Sequence, residues 1–159
     1  MEKITIDLKD FLLTGNFGPV VIGMTKDDVI HWLGDPGQVH DFKSGSAVLF
    51  YNGFELFYST DDDQLYAIQN DNLYYLFEEN APYPINEKVS VDTSFLHFGK
   101  PLTLGNLKDY LAQQQIDFEI VHKDEYDEIV LESGVKFDFE NRGSKPDACL
   151  LNGIRYFKY

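Results

Sequence analysis

The apolar residues of this chain come in short groups whose period changes along the sequence. Ile4, Ile6 and Leu8 alternate with polar residues, which predicts a short strand or extended arm over 3–8. Asn16-Phe17-Gly18-Pro19 reads as a turn and Val20-Val21-Ile22 as a brief apolar segment. Thr25 follows as a helix N-cap, with Asp27 and Asp28 placed at the positive end of the helix dipole. Val29, Ile30 and Leu33 give that helix an apolar stripe alongside Trp32, and Gly34-Asp35-Pro36-Gly37 ends it.

The period then shortens to two. Residues 47–51 and 54–59 flank Asn52-Gly53, the strongest short hairpin signal a sequence carries. Asp61-Asp62-Asp63 is a polar turn before a third strand over 65–69, and Asn70-Asp71-Asn72 is another turn. Residues 73–77 are apolar and aromatic and fit either strand or helix, and Asn80-Ala81-Pro82-Tyr83-Pro84 reads as a connecting loop. Thr103 then opens a helix carrying Leu104, Leu107, Tyr110 and Leu111. Strands are predicted over 118–122, 128–132, 135–140, 148–151 and 154–158, with an acidic turn over 124–127 and a loop over 141–146.

Two stretches of this pattern align with each other. Thr25, Val29 and Leu33 correspond to Thr103, Leu107 and Leu111, and the run Val48–Tyr58 corresponds to Ile129–Phe139. The expected fold is therefore α+β, a tandem repeat of a small unit with helices packed on one face of an antiparallel sheet. The first unit spans 1–80 with an N-terminal arm, 81–94 is a connecting loop, and the second unit spans 95–159. In the second copy alternation turns Ile129, Leu131, Val135, Phe137 and Phe139 inward and Glu132, Lys136, Asp138 and Glu140 outward. Carried to the first copy, the alignment turns Leu49, Tyr51, Glu55, Phe57 and Ser59 outward. An outward aromatic patch rimmed by acid is suited to holding a protein partner; the competing reading is that residues 73–77 cover it.

The stretch Ile22-Gly23-Met24-Thr25 with Val29, followed by Leu33-Gly34-Asp35-Pro36, resembles the signature of the SmpA/OmlA outer-membrane lipoprotein family. That family is similar in fold to the repeated unit of the β-lactamase inhibitor protein. The likeness covers about fifteen residues of the first copy, and the second copy has Gln115-Ile116 where the stop would fall. The resemblance implies a doubled helix-on-sheet fold whose open sheet faces bind protein. Acidic, unlipidated proteins of this appearance also resemble bacterial immunity proteins.

Charge narrows the partner. There are 13 Lys and Arg against 27 Asp and Glu, a net charge of −14. This argues against nucleic acid and against an anionic membrane, both of which need clustered cations. Solubility alone accounts for such acidity; the sharper reading is a basic protein partner steered in by the field. Residues 1–80 hold 4 cationic and 14 acidic side chains, so the excess lies mostly in the first half. Asp61, Asp62 and Asp63 join the candidate contact residues on this ground.

No motif for catalysis or a cofactor appears. P-loop, G-x-G-x-x-G, G-x-S-x-G and H-E-x-x-H patterns are all lacking. His31, His40, His97 and His122 lack zinc spacing, and the aspartate triplet lacks the alternating ligands of a calcium loop. The single cysteine, Cys149, lies in an apolar run without basic neighbours and reads as packing. Secretory leader, lipidation motif and membrane-length apolar run are not seen, so a cytoplasmic protein is expected. The expected function is a non-enzymatic, cofactor-free binding module, an inhibitor or immunity-type protein, monomeric or homodimeric. The alternative is a structural module that self-associates or packs on a neighbouring protein.

Overall fold

The computed structural model describes residues 2–71, 82–140 and 145–157. The chain is α+β: among these residues three α-helices pack with a large antiparallel sheet and a small mixed one. The elements are β1 (Ile4–Asp7), α1 (Leu8–Thr14), α2 (Lys26–Leu33), β2 (Gln38–Asp41), β3 (Ser46–Tyr51), β4 (Phe54–Ser59), β5 (Gln64–Asn70), β6 (Tyr83–Pro84), β7 (Val89–Asp92), α3 (Leu104–Gln113), β8 (Phe118–His122), β9 (Tyr126–Leu131), β10 (Lys136–Glu140) and β11 (Leu151–Phe157).

The large sheet has the order β2-β3-β4-β5-β11-β10-β9-β8. Each helix that precedes it, α2 or α3, is followed by four strands joined as a meander, and the two meanders meet where β5 pairs with β11. Both helices start in the same way: the Thr25 hydroxyl accepts from the Asp28 N–H and the Thr103 hydroxyl from the Asn106 N–H, each at 3.2 Å. The Asn52-Gly53 turn has both residues at positive φ, 45° and 99°, the conformation of a tight hairpin whose twist matches its strands. A register shift interrupts β4 against β5 between Phe57 and Tyr58, and β10 against β11 between Asp138 and Phe139.

One face of the sheet carries the core. Leu49, Tyr51, Phe54 and Leu56 join Val29 and Leu33 of α2, while Ile129, Leu131, Phe137 and Phe139 join Leu107 and Leu111 of α3. The free carbonyls at the end of α2 are satisfied by side chains from elsewhere. The Tyr51 phenol donates to Gly34 O at 2.8 Å, the Asn86 amide to Leu33 O at 2.6 Å and Lys88 Nζ to His31 O at 3.0 Å.

Leu8, expected at the end of the extended arm, and residues 9–14, left unassigned by the sequence pattern, form α1. Asp7 caps it by accepting from Lys9 N–H, Leu8, Phe11 and Leu12 are buried, and Gly15 closes it in the left-handed conformation. Its Phe11 ring meets Tyr156 of β11 edge-on at 6.3 Å. The small sheet corrects a second expectation. Residues 83–84 and 89–92, expected within a connecting loop, are strands: β7 pairs in parallel with β1 and antiparallel with β6. The arm at the N-terminus is thus tied to the middle of the chain. The two strands expected over 148–151 and 154–158 are, within the described residues, a 3-10 turn over Pro146–Ala148 followed by the single strand β11. Residues 73–77 lie outside the described residues. Among the described residues no helix is long and apolar enough to cross a membrane.

Candidate functional site: the open face of the large sheet

Register assigns the face opposite the helices. Pairing places Val48 across from His40 and Phe57, Phe50 across from Glu55, and Glu55 across from Gln69. In the other meander Glu128 stands across from Asp138, Val130 across from Lys136, and Arg155 across from both Lys136 and Gln69. These residues share one face of the sheet, because partners directly opposite in a sheet point to the same side; among the described residues Val48, Glu128 and Asp138 are buried on it and the others are at least partly exposed.

The sequence alignment misplaced two of its candidates. Leu49 and Tyr51 are 1% and 0% exposed and belong to the core, not to the open face. The reason is one residue in a turn. Tyr51 pairs directly with Phe54 across Asn52-Gly53, whereas Leu131 closes on Val135 across Glu132-Ser133-Gly134, with Leu131 N–H donating to Val135 O at 2.9 Å. An ungapped alignment through both turns slips the preceding strand by one, and a slip of one residue in a strand exchanges the faces. Glu55 and Phe57 follow the turn, are unaffected, and stand half-buried on the open face. Val48 and Phe50 take the strand positions assigned to Leu49 and Tyr51; Val48 is itself fully covered, so Phe50, with Tyr66 and Phe42, is what this face presents. The Asn-Gly turn, two residues against three, was the signal that could have revealed Phe50.

The half of the face built from β2–β5 is aromatic. Phe42, just past β2 and 45% exposed, lies near-parallel to Phe57, with ring centroids 6.4 Å apart and planes 13° from each other. His40 meets Phe42 edge-on at 4.7 Å, and Tyr66 lies 6.3 Å from Phe57 on the other side. The Tyr66 and Ser46 hydroxyls share a hydrogen bond of 2.6 Å. Asp61 and Asp62 are exposed in the adjoining β4–β5 turn. Asp63, also exposed, turns to the helix side and accepts from the N–H of Lys26 at 3.3 Å, so it serves the N-terminus of α2.

The half built from β8–β11 is charged. Its concavity of about 690 Å³ is lined by Lys123, Tyr126, Glu128, Lys136, Asp138 and Arg155, among others. Buried Glu128 is held by Lys123 at 3.1 Å and Lys136 at 3.4 Å. At the seam between the meanders Arg155 pairs with Asp138 through Nε, with Asp71 at 2.8 Å and with Gln69 Oε1 at 2.7 Å. Burial raises the Asp138 carboxyl above the usual carboxylate range, and the Arg155 guanidinium only partly counters it. Burial likewise raises Glu55, with Asp71 adding to the effect, while Gln69 and Arg155 oppose it. For Arg155 burial disfavours the charge, but Asp138, Asp71 and Glu55 outweigh it and its pKa goes up.

Among the described residues no group of three or more His, Cys, Asp or Glu is arranged to hold a metal. Cys149 is a half-buried free thiol. No known protein family matches the chain, and neither a curated protein nor a solved structure matches it.

Proposed function

We propose that this chain is a non-enzymatic binding module whose contact surface is the open face of the large sheet, and that its partner is a basic protein. The observation that carries the reading is the division of this face into an aromatic half around Phe42, Phe57 and Tyr66 and a charged half around Arg155. Aromatic side chains supply most of the energy at protein contacts. The carboxylates steer a basic partner toward the face and speed its arrival. Leu49 and Tyr51 are no longer part of this reading; Glu55, Phe57, Asp61 and Asp62 remain, joined by Phe42, Phe50 and Tyr66.

The reading includes a tandem repeat. Supporting it are the twofold order of helix and four-strand meander, the matching threonine caps and the register shifts at corresponding places. Burial agrees too: Ala47–Tyr51 and Asp127–Leu131 are each buried apart from Phe50 and Val130. A doubled unit of this kind fits the fold that the resemblance to the β-lactamase inhibitor protein implies; an inhibitor or immunity-type role in the cytoplasm is proposed with it by analogy. Identifying what wild-type chain captures from its native lysate, in parallel with Phe57→Ala, tests the reading. A basic protein retained by the wild type and lost by the variant is expected. Retention of the same proteins by both would count against it.

A second reading, self-association, draws on the sheet edges. β2 is an edge strand exposed along its whole length, and such edges pair readily with another chain. Molar mass in solution separates the two: a tight dimer unaffected by Phe57→Ala favours edge pairing.

A further inference from the structure

Resting on the reading of the open face as a contact surface, we propose that the Phe42–Phe57 pair is a seat for an arginine side chain of the basic partner, selective for arginine over lysine. The rings are near-parallel, at 13°, with centroids 6.4 Å apart. A centroid separation of 6.4 Å between near-parallel planes is that of an offset pair, so neither ring fully covers the face of the other. Neighbours hold both rings: His40 meets Phe42 edge-on at 4.7 Å, and Tyr66, with its hydroxyl bonded to Ser46, flanks Phe57. Little side-chain freedom is then lost on binding, which favours affinity.

The charges around the rings match a cation. The hydrogen bond from Thr60 N–H to Gly45 O, 2.9 Å, brings the Asp61-Asp62 turn beside the segment that carries Phe42. Asp41, Asp61 and Asp62 are exposed here and outnumber Lys43, which pairs with Asp41 at 3.8 Å. A cation over an aromatic ring is attracted to its π face within about 6 Å of the centroid. Guanidinium suits this seat better than ammonium for two reasons. It is planar and stacks on rings, and it is the more weakly hydrated, so it gives up less water on leaving solvent.

The test uses hexa-arginine and hexa-lysine peptides of equal charge, titrated into the intact chain at about 150 mM salt, where long-range attraction is screened. The arginine peptide is expected to bind about five- to tenfold more tightly. Phe42→Leu and Phe57→Leu should each bring the ratio to about one, while Phe42→Tyr and Phe57→Tyr, which keep the π face, should preserve it. Thermal melts confirm that each variant is folded; Phe42 is half-exposed at a strand end, so its replacement leaves the core untouched. Equal affinities for the wild type, a preference surviving both leucine variants, or no binding of either peptide would overturn the proposal. If a captured partner is still weakened by Phe57→Ala in that event, the arginine seat falls and the open-face reading stands.

Discussion

Arg155 and Gln69 face each other across the β5–β11 seam, and the guanidinium donates to the amide oxygen at 2.7 Å. The same guanidinium holds Asp138 of β10 and Asp71 beyond β5. One side chain therefore joins both meanders on the open face. Replacing Arg155 by Met leaves the buried Asp138 carboxylate without its cation. The expected cost is about 3 kcal/mol, since breaking one side of a buried pair is far worse than removing the pair. Chemical denaturation of Arg155→Met alone and with Asp138→Asn checks this: the double variant should recover at least half of the loss.

The same cluster sets a pH dependence. Asp138 and Glu55 have carboxyl pKa values raised in the folded chain, chiefly by burial. A carboxyl that binds its proton more readily when folded stabilises the protonated protein. Their contribution is complete below the unfolded carboxylate range of about 4 and is lost as pH rises through the elevated folded values. Asp92 acts oppositely: the N–H and hydroxyl of Ser94 lower its pKa, so its contribution is present at neutral pH and is lost as the medium is acidified through that lowered value. Denaturant melts from pH 7 to about pH 4, the unfolded carboxylate range, should show wild type gaining stability relative to Asp138→Asn and Glu55→Gln. Parallel curves for all three would contradict the assignment.

Tyr51 is a core residue whose phenol serves the end of α2. Tyr51→Phe should cost about 1 kcal/mol, the net value of one hydrogen bond, and leave partner affinity unchanged. Leu49→Ala should cost about 2–5 kcal/mol through the cavity it opens. Thermal melts read the first effect and the second; affinity measured on the folded variants shows whether either residue touches the partner.

The two threonine caps make a matched pair. Thr25→Ala and Thr103→Ala should each destabilise by about 1 kcal/mol, and because the helices lie in different halves the losses should add. Urea unfolding of the two single variants and the double variant tests both statements.

Much of the fold was legible because its signals are local. Thr25, Gly34, Thr103 and Asn52-Gly53 act within a few residues of themselves, and each is found in the role its chemistry suggests. The helix over Leu8–Thr14 carried comparable signals in Asp7 and Gly15, but the alternation of Ile4, Ile6 and Leu8 just before it masked the change of period. The pairing of β1 with β7 was not legible, because partners so far apart in the chain are chosen by packing. The candidate site was half legible. An asymmetry between an aromatic and a charged half could be read from alternation along the aligned strands, yet the identity of its aromatics depended on whether a hairpin turn holds two residues or three. That single residue moved Leu49 and Tyr51 into the core and brought Val48 and Phe50 to the other face.

The most direct test of the account compares the two sides of the sheet. Phe57 lies on the open face, while Trp32, 42% exposed on α2, lies on the helix side. Calorimetric titration of the captured basic partner should show Phe57→Ala weakening binding by about tenfold or more, roughly 1.4 kcal/mol, with Trp32→Ala within about twofold of wild type. Undiminished affinity in Phe57→Ala together with loss in Trp32→Ala would contradict it.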